Sequence, residues 1–128
     1  MSNSVDQLEE RGEFFHSLSL LKKQILFGHL CGPDSSHHVG RLLQRLGRVE
    51  SARRAYECAL QLDSARPRTC NNLALLELSQ LDAERAEHWL LRGLALKPLN
   101  VDDEDLLQAT ACDLRLYQLR HEQALAHV

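Results

Sequence analysis

The stretch VGRLLQRLGRVESARRAYECALQLDS, residues 39–64, falls into register with LALLELSQLDAERAEHWLLRGLALKP, residues 73–98, after a shift of 34 positions. Val39 lands on Leu73, Gly40 on Ala74, Leu42 on Leu76, Ala52 on Ala86 and Tyr56 on Leu90. Further along, Ala59 lands on Gly93, Leu60 on Leu94, Leu62 on Leu96 and Ser64 on Pro98. Apolar meets apolar and small meets small, which marks an internal repeat of one supersecondary unit.

Each unit reads as two helices. Residues 36–46 carry Val39, Leu42, Leu43 and Leu46 at the three-and-four spacing of a single helical face. Gly47 then ends the helix, because a helix C-terminus favours a left-handed residue. The second helix spans 49–62, with Val49, Ala52, Tyr56, Ala59 and Leu60 on its inner stripe. After a turn over 63–67, Pro67 opens the next helix, where a missing N–H costs nothing. The pattern then repeats as a helix over 67–80, a turn near Asp82 and a helix over 83–97 closed by Pro98. Burial is predicted for Ala52, Tyr56, Ala59, Leu73, Ala86, Leu90 and Leu94.

The pairing of an aliphatic with a small residue in the first helix (Val39-Gly40, Leu73-Ala74) resembles the tetratricopeptide repeat (TPR). So do Gly47, Ala52, Tyr56 and Ala59-Leu60, and their counterparts Ala86, Leu90, Gly93-Leu94 and Pro98. The resemblance spans residues 33–100. Ser36 and Cys70 stand where an aromatic is usual, Leu81 where the turn has glycine, and Ser64 where a closing proline is expected. Gly40 and Ala74 are expected to let one helix approach the Ala52 or Ala86 stripe of its partner. The implied fold class is all-α, a TPR-like α-solenoid of antiparallel helix pairs with terminal capping helices.

Four segments follow: an N-terminal helix (degenerate repeat or cap) over 1–32, repeat-like units over 33–66 and 67–100, and a capping helix or partial repeat over 101–128. In the first, Phe14, Leu18, Leu21 and Ile25 share a helical face until Gly32-Pro33 breaks it. In the last, Asp102, Asp103, Glu104 and Asp105 give a helix start favourable to the macrodipole. Leu106, Leu107, Leu114, Leu116 and Tyr117 continue that helix, and residues 121–125 resemble part of a further second helix. Solenoids need such ends, because an uncovered terminal repeat exposes an apolar face. A chain stopping within a helix-like run raises the reading of an N-terminal part of a longer polypeptide.

Composition narrows the function classes. With 44% hydrophobic and 26% charged residues, the chain is of ordinary globular make-up, and nine glycines and prolines are too few for a turn-rich β-sandwich. No apolar run approaches membrane-spanning length and no basic, then apolar, leader opens the chain, so no membrane partner and a cytoplasmic location are expected. The four cysteines share no close spacing, which points to reduced thiols and to no metal. Trp89 and Tyr56 are expected to pack the core. A net charge of −3 hides a polarity: residues 33–68 hold seven basic and four acidic side chains, residues 77–113 three and nine.

Motifs for catalysis are absent. No GxxxxGK, GxGxxG, GxSxG or HExxH occurs, and no cofactor or enzyme activity is expected. Stacked helix pairs instead curve into a concave binding surface, and the resemblance implies that the first helix of each pair lines it. His37, Arg41, Gln44 and Arg45 then project from the first unit, and Asn71, Leu75 and Leu78 from the second. Asp105, Ala109 and Cys112 follow from the last helix. Such a groove suits a peptide with acidic, apolar and basic portions, with Asn71 placed to hold its backbone by an amide that donates and accepts.

Some TPR proteins hold the C-terminal carboxylate of a chaperone in a basic clamp. Here the matching helix starts with four acids, which would repel a carboxylate. The leading expectation is a non-catalytic protein-interaction scaffold, with self-association through the terminal helices as a further one. The alternative is the TPR region heading a longer glycosyltransferase- or sulfotransferase-like enzyme, where it positions a protein substrate. RNA binding is suggested by the seven arginines of 33–68, but the acidic half and a total of six aromatics argue against nucleic acid.

Overall fold

The computed structural model describes His16, Leu18, Ser19, Lys22 and residues 32–126. Among them, all regular structure is helical: α1 (Pro33–Arg45), α2 (Val49–Leu62), α3 (Pro67–Ser79), α4 (Ala83–Leu94) and α5 (Val101–Ala126). Two compact units divide the chain, residues 1–64 and 65–128. The four described residues before position 32 are helical and Leu18 is buried, while Phe14, Phe15, Leu21, Ile25, Phe27 and Cys31 lie outside the described residues.

In the first unit, α1 and α2 form an antiparallel hairpin. Pro33 begins α1, and Gly47 (φ 78°) ends it. The Arg48 N–H reaches back to the Leu43 carbonyl at 2.9 Å and the Gly47 N–H to Gln44 at 3.1 Å, the Schellman closure that a left-handed residue permits. Ser36, early in α1, lies 3.7 Å from Cys58 Sγ, late in α2. The core of this hairpin holds Leu42, Leu43, Ala52, Tyr56, Ala59 and Leu60, all buried. A Cβ added to Gly40 would sit 2.7 Å from Tyr56 Cδ1, so the close approach to the inner stripe of α2 is made at the Tyr56 ring.

The second unit repeats that hairpin in α3 and α4 and adds α5 against both. Its apolar cluster joins Ala74, Ala86, Leu90, Leu107 and Leu114, with Leu78, Trp89 and Leu94 packed around it. Leu94 is half-buried, unlike the other residues for which burial was expected. Asp82 caps α4 by accepting from the Arg85 N–H at 3.1 Å, and Asn100 accepts from the Asp103 N–H at 2.8 Å where α5 begins. Such a side-chain cap contributes about 1 kcal/mol. From Val101 to Ala126, α5 is one uninterrupted helix, which corrects the reading of 121–125 as part of a separate second helix. No glycine or proline lies between 99 and 128 to break it.

Candidate peptide-binding surface

Helix α1 presents four of the candidate residues, and their surroundings differ. The His37 ring tilts against Tyr56 with centroids 5.5 Å apart, and Gln44 Oε1 accepts from the Tyr56 hydroxyl at 2.6 Å. Gln44 thereby satisfies the one polar end of a buried aromatic, which needs a partner when enclosed, while His37 packs against its ring. Arg41 is half-buried and its guanidinium lies 2.8 Å from His38 Nδ1. Arg45 is exposed in the last turn of α1, where positive charge complements the helix dipole.

In the second unit the candidates separate further. Asn71 is 1% exposed, and its Oδ1 accepts from the Thr110 hydroxyl at 2.6 Å, a buried bond between α3 and α5. Its carboxamide oxygen thus holds α5 in place, a different task from gripping a peptide. Leu75 is 36% exposed on the outer face of α3, Leu78 packs against the apolar cluster, and Asp105 is exposed on α5, as are Ala109 and Cys112.

Three polar elements lay outside the sequence reading. Arg68 Nε donates to Asp103 Oδ1 at 2.9 Å, so one acid of the 102–105 run is committed to α3. Glu77 is buried where the first unit has Leu43, with Arg85 Nη1 3.6 Å from its Oε2. Arg92 lies over the Trp89 ring at 5.3 Å. Pairings 35 and 39 residues apart have no local sequence signature; only the tertiary fold brings them together. Among the described residues, no group of three or more His, Cys, Asp or Glu could hold a metal ion, and no helix is long and apolar enough to cross a membrane.

Comparison with solved structures places this architecture. The chain superposes on the type III secretion chaperone SycD of Yersinia enterocolitica, solved with a peptide of the translocator YopD, with a TM-score of 0.78. The match has 16% identity and covers 91% of this chain and 88% of that one. PcrH of Pseudomonas aeruginosa, solved with the chaperone-binding region of PopD, gives 0.77 at 20% identity over 91% and 87%. MamA gives 0.68 at 15% identity over 97% and 77%. The fold matches the TPR-like helical chaperones. No family model and no curated protein matches the sequence. At these identities the likeness is one of fold, carried by helix length and apolar register.

Proposed function

We propose that this protein is a non-catalytic interaction scaffold of TPR type that binds a peptide or a peptide-like segment of a partner protein in the cytoplasm. The observation that carries the reading is the fold: two of its structural neighbours were solved with a segment of the protein they bind. A repeat region heading a longer enzyme is not the reading these neighbours favour.

Each unit supplies its own contact surface in this proposal. On α1, Arg41 and Arg45 meet an acidic portion of the partner. On α3, Leu75 offers an apolar contact, with Leu78 behind it, and Asp105 of α5 meets a basic side chain. His37, Gln44 and Asn71 serve the surface from behind, by holding Tyr56 and α5. Opposite charges of this kind set specificity and encounter rate more than affinity.

Phage-displayed random peptides selected against the folded protein, followed by anisotropy titration of the selected sequences, test the proposal. Selected peptides should be enriched in acidic and apolar residues. Arg41→Glu with Arg45→Glu should weaken their binding several-fold and alter its salt dependence; the double reversal is used because one surface charge contributes only about 0–1 kcal/mol. Leu75→Ser should weaken it without a salt effect, since no charge changes. Failure to select any peptide, or affinities unmoved by both variants, would overturn the assignment.

A further inference from the structure

Helix α5 carries leucines on two opposite sides. Asp103, Leu107, Thr110 and Leu114 form its buried stripe within the second unit. Adding nine residues, about two and a half helical turns, to each gives Cys112, Leu116, Leu119 and Gln123 on the far side. Leu116 is 53% exposed and Leu119 38%, and Cys112, Gln123 and Ala126 are exposed as well. Ala109, Cys112, Leu116, Leu119, Gln123 and Ala126 alternate spacings of three and four, the seam of a two-helix coiled coil.

We propose that a second copy of this chain covers that seam, with the two α5 helices antiparallel. Charge selects both the occupant and the direction. Taking the seam as a and d positions, Arg115 and Glu122 are g residues and Asp113 and Arg120 are e residues, all exposed. Antiparallel pairing centred between Leu116 and Leu119 sets each Leu116 against Leu119 of the second copy. It also brings Arg115 beside Glu122 and Asp113 beside Arg120 of that copy, so the nearest flanking pairs attract. Parallel pairing would instead set Arg115 against Arg120. Flanking charges of this sort fix partner and orientation in coiled coils. The only strongly polar seam position, Gln123, then lies opposite Cys112, which penalises other registers.

The seam from 109 to 126 runs about 25 Å, a short contact suited to a dimer of micromolar rather than nanomolar strength. This inference is independent of the peptide reading, because it is read out with no peptide present.

Sedimentation velocity over a micromolar concentration series should show a monomer–dimer equilibrium for the full chain. Leu116→Glu and Leu119→Glu should each weaken it at least tenfold while leaving the far-UV circular dichroism unchanged, since both side chains are exposed. Arg115→Glu should weaken the dimer, and adding Glu122→Arg should restore it. Direction is read by oxidative crosslinking mapped by mass spectrometry. Gln123→Cys should link to Cys112 of the second copy, whereas two native Cys112 residues lie about 16 Å apart along the axis, beyond the roughly 7 Å a disulfide spans. A monomer at every concentration, or a dimer indifferent to both leucine changes, would overturn the proposal. So would a dimer strengthened by Arg115→Glu, or one that crosslinks through Cys112 alone.

Discussion

Gly47 and Leu81 occupy the same turn of the two helix hairpins, and both hold a left-handed backbone, with φ of 78° and 61°. The closing hydrogen bonds are the same: Asp82 N–H to Glu77 at 3.0 Å and Leu81 N–H to Leu78 at 3.0 Å repeat those of Arg48 and Gly47. Glycine adopts this conformation at no steric cost, whereas leucine gives up about 1–2 kcal/mol. The second turn therefore keeps its geometry because the helices on either side impose it.

Leu81→Gly should accordingly raise stability. Leu81 is 68% exposed, so little packing is lost, and relief of strain exceeds the added flexibility of the unfolded chain. The expected gain is about 0.5–1 kcal/mol, seen as a rise of a few degrees in the thermal midpoint. Gly47→Leu should lose about 1–2 kcal/mol. Equal midpoints for both variants and the parent would show that the turns carry no strain.

The hairpin cores predict a coupled pair. Gly40 faces the Tyr56 ring, while the equivalent positions of the second unit are Ala74 and Leu90, which share one buried cluster. Gly40→Ala should cost about 1–3 kcal/mol by overpacking against the ring. In the double variant Gly40→Ala with Tyr56→Leu, denaturant titration should show a smaller loss than the two single losses added together, because the smaller side chain admits the methyl group. Simple additivity would mean the contact is not the cause.

The α3–α5 bond makes a second stability prediction. Thr110→Val removes the hydroxyl donor and leaves Asn71 Oδ1 enclosed, at a cost of about 1–3 kcal/mol. Asn71→Leu together with Thr110→Val should recover part of that loss, since neither polar group then remains to be satisfied. Urea unfolding followed by circular dichroism measures both. If Thr110→Val alone is neutral, the bond does not hold α5.

Thiol reactivity separates the cysteines by burial. Burial pushes the Cys70 thiol up, against a smaller downward pull from Arg92 and a backbone hydrogen bond, whereas Cys58 and Cys112 are exposed. Iodoacetamide at neutral pH should therefore modify Cys58 and Cys112 in the folded protein and Cys70 only on unfolding. A raised folded-state value also means that the unfolded chain ionises first. Stability from Cys70 is thus full below the ordinary thiol value and declines as pH rises through and beyond it. Cys70→Ala should flatten that alkaline decline. Rapid labelling of Cys70 in the native state would contradict its burial.

How the parts of the molecule became legible follows from the range of the interactions that make them. Helix α2 runs from Val49 to Leu62, as its periodicity and flanking turns predict, because helical hydrogen bonds and capping residues lie within a few positions of each other. The same locality explains Pro67 at a helix start, and Ala52, Tyr56, Ala86 and Leu90 in the cores, whereas α1 begins at Pro33, three residues before the start its periodicity predicts. Even Leu81, an exception to the repeat, was visible as one. The candidate surface was less legible. Register predicted which positions of α1 and α3 face outward in a repeat. Helical geometry alone could not show that Asn71 is enclosed beneath Thr110, or that Gln44 serves the Tyr56 hydroxyl. Nor could it single out Asp103 as the acid of its run that pairs with Arg68. Local pattern determines the helices, since their bonds close within four residues. Whether a polar side chain ends at the surface or inside depends on which distant element packs over it, and only the tertiary structure decided that.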